Sequence, residues 1–153
     1  MIHYYYGFGK GKTSSAVGAG IRAYGSGMKV LFVQFFKNDK SNERSAVPFE
    51  VYPAPNRLPF NVGKEYQEYV DKAIDYIKNS NCDMIILDEF GDLIPQFVSF
   101  EDIKNIFDDS KEYIITGHSF FSPLGDVADY VTRFEKIKHP YDKGVKARKG
   151  IEF

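Results

Sequence analysis

The run Gly7-Phe8-Gly9-Lys10-Gly11-Lys12-Thr13 is the part of this sequence best suited to chemistry. A phosphate chain is held by several N–H donors converging on one point, with no side chains in the way. Glycines at 7, 9 and 11 allow such a backbone nest. The helix expected to follow adds a partial positive charge at its N-terminus. Lys12 supplies a point charge to the phosphates, and the Thr13 hydroxyl is of the type that ligates Mg²⁺. The usual phosphate-loop spacing is Gly, four residues, then Gly-Lys-Ser/Thr. Tyr6 stands where the first glycine belongs, so the pattern is met from Gly7, one residue short. The competing reading is a flexible Gly/Lys loop.

Three further groups carry polar chemistry. Asp88-Glu89 ends a hydrophobic run, where phosphate-loop proteins keep a carboxylate for Mg²⁺. A solvated acidic pair, or one capping the next helix, is the alternative. Thr116-Gly117-His118 ends a second such run, and strand C-terminal ends are where open α/β sheets bind ligands. His118 reads either as a contact to phosphate or a second substrate, or as a surface loop histidine. Residues 133–149 hold Arg133, Lys136, Lys138, Lys143, Lys146, Arg148 and Lys149 against Glu135 and Asp142. Nucleic acid, a small polyanion and plain solvent each suit that tail, and the neutral balance of the whole chain favours the small polyanion.

The elements that must position these groups alternate in type. Residues 2–6 read as a strand entering the glycine turn. A helix then runs to a stop at Gly25, with Val17, Ile21 and Tyr24 at helical spacing and small residues between them to let it pack close to a sheet. Residues 29–36 form an almost continuous apolar run, as expected of a strand buried on both faces. Residues 37–46 are polar and read as a loop, 49–52 as a short strand. Pro53, Pro55 and Pro59 make 53–60 irregular. Tyr66, Tyr69, Val70, Ala73, Ile74 and Ile77 repeat as in an amphipathic helix over 64–78. Residues 83–89 and 112–117 are buried strands. Ser99 with Asp102 predicts a capped short helix through Phe107. Residues 127–132 lead into a last strand, and 138–153 form an irregular basic tail. This alternation predicts one α/β domain over residues 1–153, a RecA-like phosphate-loop fold with a mostly parallel sheet.

Composition bounds the rest. The chain has 153 residues, enough for one compact domain. Lys plus Arg number 20 and Asp plus Glu 21, a net charge of −1, so no global field draws nucleic acid or an anionic membrane. Cys82 is the sole cysteine, which rules out an internal disulfide and fits a small core residue. The start lacks the basic and long apolar segments of a signal peptide, and no run is long enough to span a bilayer. The expected location is cytoplasmic.

Several runs together resemble one family, the phosphate-loop ATP:corrinoid (cob(I)alamin) adenosyltransferases of the CobA/BtuR-like type. They are Gly7 to Thr13, Arg22-Ala23-Tyr24-Gly25-Ser26-Gly27, Val33-Gln34-Phe35-Phe36-Lys37, Asn42-Glu43, Asp83 to Glu89, Ile115-Thr116-Gly117, Ala128 to Thr132, and Lys138 to Phe153. They lie in order over nearly the whole chain. The short phosphate loop is a family trait, and the ending Gly-Ile-Glu-Phe is the most discriminating run. The resemblance implies transfer of the 5′-deoxyadenosyl group of ATP to the Co(I) of a corrinoid, cob(I)alamin or cob(I)yrinic acid a,c-diamide, with release of triphosphate. It implies catalytic roles for Lys12, Thr13 and Glu89, and Mg²⁺ on Thr13, Asp88 and Glu89. It implies substrate contacts from Gly7, Phe8, Gly9, Lys10, Gly11, Lys12, Thr13, Ser14, Arg22 and Lys146, with Phe60, and more weakly Leu58, beneath the corrin. The tail would close on the nucleotide. A homodimer and a flavoprotein or other reductant are implied partners. The family usually carries an extension before the first strand and a longer segment between Glu43 and Asp83. His118 stands where it usually has Arg, and Arg148 where it usually has Gln. The alternative is an ATPase, a kinase-like enzyme or a non-catalytic ATP-binding protein on the same scaffold.

Overall fold

The structure is a computed structural model that describes residues 1–55, 57, 58 and 63–151. Its centre is a sheet of six strands: β1 (Ile2–Tyr6), β2 (Val30–Gln34), β3 (Glu50–Val51), β4 (Met84–Asp88), β5 (Glu112–Gly117) and β6 (Tyr130–Arg133). Their order is β3-β2-β4-β5-β1-β6, and every pairing is parallel. The expected α/β phosphate-loop architecture is thus present, with a sheet wholly rather than mostly parallel.

The buried strands explain the apolar runs. Every residue of β2 and β4 is buried. Alternate side chains point to opposite faces of a strand, so the sheet feeds two cores. Val30, Phe32, Met84, Ile86 and Ile114 pack on one side. Leu31, Val33, Ile85, Leu87, Tyr113 and Ile115 pack on the other, with Cys82 at their margin.

Helix α1 (Lys12–Gly25) covers the first face. It turns inward Ala16, Gly20 and Ala23, and leaves Ile21 and Tyr24 exposed. The buried stripe is therefore the small residues, not the larger apolar ones marked by the spacing. The reason is proximity: a Cβ on Gly20 would come 2.6 Å from Ile86 Cδ1. A helix this close to a sheet has no room for branched side chains.

Helix α3 (Lys64–Asn79) covers the second face with Tyr66, Val70, Ala73 and Ile77, as the periodicity predicts. It also latches the end of β2. The Tyr66 hydroxyl accepts from the Phe36 N–H at 2.6 Å, and the Tyr69 hydroxyl donates to the Gln34 carbonyl at 3.1 Å.

Four expectations are corrected. Residues 37–46 include a short helix, α2 (Asn42–Ala46), too short and polar to show periodicity. The capped helix α4 (Phe100–Lys104) ends before Phe107, although Ser99 does accept from the Asp102 N–H at 3.2 Å. Val127 ends a helix α5 (Ser122–Val127) rather than leading into a strand, and the last strand is Tyr130–Arg133 itself. The tail contains one 3₁₀ turn at Pro140–Lys143. Among the described residues no helix is long and apolar enough to cross a membrane.

Candidate functional site

The glycine loop joins β1 to α1 at the C-terminal edge of the sheet, as the sequence predicts. Gly7 and Gly11 both sit at φ 116°, where L side chains are strained. Gly7 and Gly9 are constrained by a second cause that the sequence conceals. Each lies against the backbone that follows β6, where added Cβ atoms would come 2.3 Å from Phe134 O and 2.7 Å from Phe134 C respectively. The Gly9 N–H donates to that same Phe134 carbonyl at 2.8 Å. Helix α1 has no acidic residue in its first turn. Its N-terminal field is therefore uncancelled by its own side chains.

The loop and helix line one wall of a cavity of about 1340 Å³. Phe8, Gly9, Lys10, Gly11, Lys12, Thr13 and Ser14 face it, as do Val17, Gly18 and Ile21 of α1. Lys37, Asn38, residues 40–43, Ala46 and the tail residues His139, Ala147, Lys149, Gly150 and Ile151 complete it. Lys10, Lys12, Lys37, Lys40 and Lys149 converge there against one acid, Glu43. That charge pattern suits a polyanion. The tail is tied to the loop, since Lys10 Nζ donates to the Ile151 carbonyl. Lys146 lines a small adjoining cavity instead, and Arg22 is exposed on α1 without lining either. Phe60 lies outside the described residues, and Leu58 is exposed.

Behind Thr13 stands a buried polar network. The Thr13 hydroxyl donates to Asp88 Oδ1 at 2.9 Å, and the Thr116 hydroxyl donates to the same oxygen at 2.8 Å. Gln34 Nε2 donates to Asp88 Oδ2 at 3.1 Å and to Glu43 Oε1 at 2.8 Å. Two carboxylates flank that amide, which fixes the nitrogen toward them. Burial pushes the Asp88 carboxyl up from its ordinary range, while the donors from Gln34, Thr116 and Thr13 pull the other way. Gln34 had no site role in the sequence, and Thr116 entered it only as part of the strand end Thr116-Gly117-His118. The signal for Gln34 was a polar residue closing an otherwise apolar buried strand.

Glu89 faces a different set of partners. Its backbone is left-handed at φ 58°, held by its N–H donating to the Thr116 hydroxyl at 2.8 Å. Its carboxylate lies 3.0 Å from His118 Nδ1, which is also 2.7 Å from Asp92 Oδ2. Burial pushes Glu89 up to about 8, reinforced by its hydrogen bond to Asp92 and by the charges of Asp88 and Asp92, with Lys12 opposing. Asp92 moves the other way. Burial works against its charge, but hydrogen bonds from Glu89 and His118 hold it below the usual carboxylate range. The metal trio expected from sequence therefore divides into a Thr13–Asp88 contact and a Glu89–Asp92–His118 cluster. Asp92 escaped the sequence reading because it lies on a 3₁₀ turn (Phe90–Leu93) that no periodicity announces.

The sequence profile of the family described as ATP:corrinoid adenosyltransferase BtuR/CobO/CobP matches residues 1–153. The chain belongs to that family. It is 30% identical over 169 residues to the corrinoid adenosyltransferase of Escherichia coli K12, covering 100% of this chain and 85% of that protein. It is 30% identical over 168 residues to corrinoid adenosyltransferase CobA of Salmonella typhimurium, with the same coverage. The Pseudomonas aeruginosa corrinoid adenosyltransferase is 29% identical over 168 residues, covering 96% of this chain and 80% of that one. The family membership makes the chain a transferase whose substrates are ATP and a corrinoid, and the ATPase, kinase and carrier readings are not favoured.

Proposed function

We propose that the chain binds ATP through its glycine loop and transfers the 5′-deoxyadenosyl group to the Co(I) of cob(I)alamin or a biosynthetic precursor such as cob(I)yrinic acid a,c-diamide. The observation that carries this reading is the cavity lined by both the glycine loop and the C-terminal tail. In the reaction a Co(I) electron pair attacks C5′ and the C5′–O bond breaks. Its electrons leave on triphosphate, and cobalt becomes formally Co(III). No protein nucleophile is needed. The chain's contribution is to hold ATP in place and to stabilise negative charge growing on the leaving group.

Loop backbone N–H groups other than those of Gly7 and Gly9, which are taken by the Gly117, His118 and Phe134 carbonyls, supply that stabilisation with the α1 N-terminus and Lys12. Lys10 and Lys149 add charge from the loop and the tail, both of which line the cavity. Ser14 joins the phosphate contacts. Thr13, Asp88 and Glu89 are hard oxygen donors beside this cavity, a donor set that fits Mg²⁺. They would hold the ion. When bound, it would neutralise charge on the phosphate oxygens. The family resemblance adds a homodimer, a cytoplasmic location and a separate flavoprotein or other reductant that makes Co(I).

The test is anaerobic incubation with Mg-ATP and chemically reduced cob(I)alamin. An alkylcobalamin spectrum with one triphosphate per turnover is expected. Lys12→Ala should lower the rate by about 10²–10³-fold, the range for losing one preorganised charge-stabilising group. Phosphate or diphosphate release without corrinoid would overturn the proposal in favour of an ATPase or kinase.

A further inference from the structure

We propose that β6 is the surface through which two copies of this chain associate, each β6 pairing antiparallel with its counterpart about a two-fold axis at Val131. The inference rests on the homodimer that the family resemblance adds, and it supplies the surface and register for it.

Strand β6 closes the sheet order and pairs on one side only, with β1. All four of its residues are exposed, Tyr130 at 51% and Val131 at 45%. Strands of a parallel sheet are ordinarily covered on both faces. An open strand edge invites pairing with another chain, and proteins guard against this with Pro, Lys, a bulge or a very short edge strand. The other edge strand, β3, is guarded in the last way, being two residues long. The run Asp129-Tyr130-Val131-Thr132-Arg133 contains no Pro, Gly or Lys. Its backbone groups alternate between the two edges. The Phe134 N–H donates to the Tyr6 carbonyl at 2.7 Å, and the Phe134 carbonyl accepts from Gly9. Position 134 thus faces β1, as do 132 and 130 by alternation. The N–H and C=O of Val131 and Arg133 point to the open side.

The run is complementary to itself when reversed. With the axis at Val131, that residue lies opposite its own copy, Tyr130 opposite the partner's Thr132, and Asp129 opposite the partner's Arg133. Two-fold symmetry repeats each pair. Val131 and its copy exchange both N–H···O bonds, as the hydrogen-bonded pair of an antiparallel ladder does. Aromatic with β-branched and acid with base are stabilising cross-strand pairs. Asp129 Oδ2 already accepts from the Ile2 N–H at 2.7 Å, and Arg133 Nη2 reaches Glu135 Oε1 at 3.3 Å. A carboxylate with two oxygens and a guanidinium with five N–H donors retain capacity for more. The Arg133–Glu135 pair is exposed on both sides and so weak. Charge also selects the register. An axis at Thr132 would satisfy the same outward groups, but it would set Asp129 opposite the partner's Glu135, two like charges.

The experiment is sedimentation equilibrium of the tag-free chain, in which a concentration-dependent dimer is expected. Val131→Pro removes an outward N–H and no bond to β1, a place where an edge strand tolerates proline. Losing the two central bonds should weaken dimerisation by about 30-fold. Arg133→Glu, which sets like charges opposite each other, should weaken it as well, both variants at unchanged circular dichroism. The register is read by cysteine pairing, since opposite residues of adjacent antiparallel strands lie within disulfide reach. A mixture of Tyr130→Cys and Thr132→Cys chains should form a disulfide-linked dimer under mild oxidation, and neither chain alone should do so. Cys82 is buried and does not compete. A monomer at every concentration would overturn the proposal together with the homodimer. A dimer equally stable in either variant would overturn this surface and leave the homodimer standing. Thr132→Cys cross-linking by itself as fully as the mixture would overturn the axis at Val131.

Discussion

Gln34 shows how one buried side chain can set the charge state of its neighbours. It is fully buried at the end of β2, and its amide bridges Asp88 and Glu43, which belong to different elements. Its Oε1 has no hydrogen-bond partner among the described residues. Gln34→Leu keeps the volume and removes both donors. Each carboxylate would then lose one donor, Asp88 keeping Thr13 and Thr116 and Glu43 keeping Ser41, at a cost of about 1–3 kcal/mol each. Chemical denaturation should show lower stability, and calorimetry weaker Mg-ATP binding. Unchanged values for both would mean that Asp88 is positioned by Thr13 and Thr116 alone. Glu89 and Asp92 carry the complementary lesson. They lie three residues apart on one turn, yet burial and mutual hydrogen bonding drive one carboxyl up and the other down.

At the scale of elements, α3 is attached to β2 through tyrosine hydroxyls as well as apolar packing. Burial pushes the Tyr66 hydroxyl up to about 12, with the Phe36 N–H pulling the other way, and it raises Tyr69 too. The folded chain thus favours the neutral phenols. Their contribution to stability is complete below the unfolded value near pH 10. It declines as pH rises from about 10 toward 12. Urea midpoints should fall over that window, and less steeply in Tyr66→Phe. Equal slopes in both proteins would show that other groups govern alkaline unfolding. The periodic face of α3 and the uniformly apolar β2 and β4 were legible because burial alone dictates those patterns. Helix α1 was legible in extent, and its facing in the small residues that let it pack close to the sheet rather than in the spacing of Val17, Ile21 and Tyr24, since that face is set by distance to Ile86. Helices α2 and α5 were not legible, because five or six residues carry too little period to read. The glycine loop could be read from its sequence. The His118 cluster could not, because it depends on a close pass between Gly91 and Gly117 far apart in the chain.

Across the whole molecule, the two ends of the sequence meet at the same loop. Asp129 Oδ2 accepts from the Ile2 N–H at 2.7 Å, β6 pairs with β1, and Phe134 packs under Gly7 and Gly9. Gly9→Ala would drive a methyl into backbone that cannot swing aside. A stability loss of about 1–3 kcal/mol is expected, as in overpacked cores. Nucleotide affinity should fall with it. A thermal midpoint equal to that of the unaltered chain would mean that residues 134–135 yield to the methyl. The sheet order has a consequence for synthesis. β1 lies between β5 and β6, the last two strands to be made. The nascent chain therefore holds Ile2–Tyr6 without a partner strand until β5 has been made, and with one edge open until β6 follows. The segment translated first acquires its final shape last, and a messenger truncated before that point yields a product without the backbone against which Gly7 and Gly9 are held.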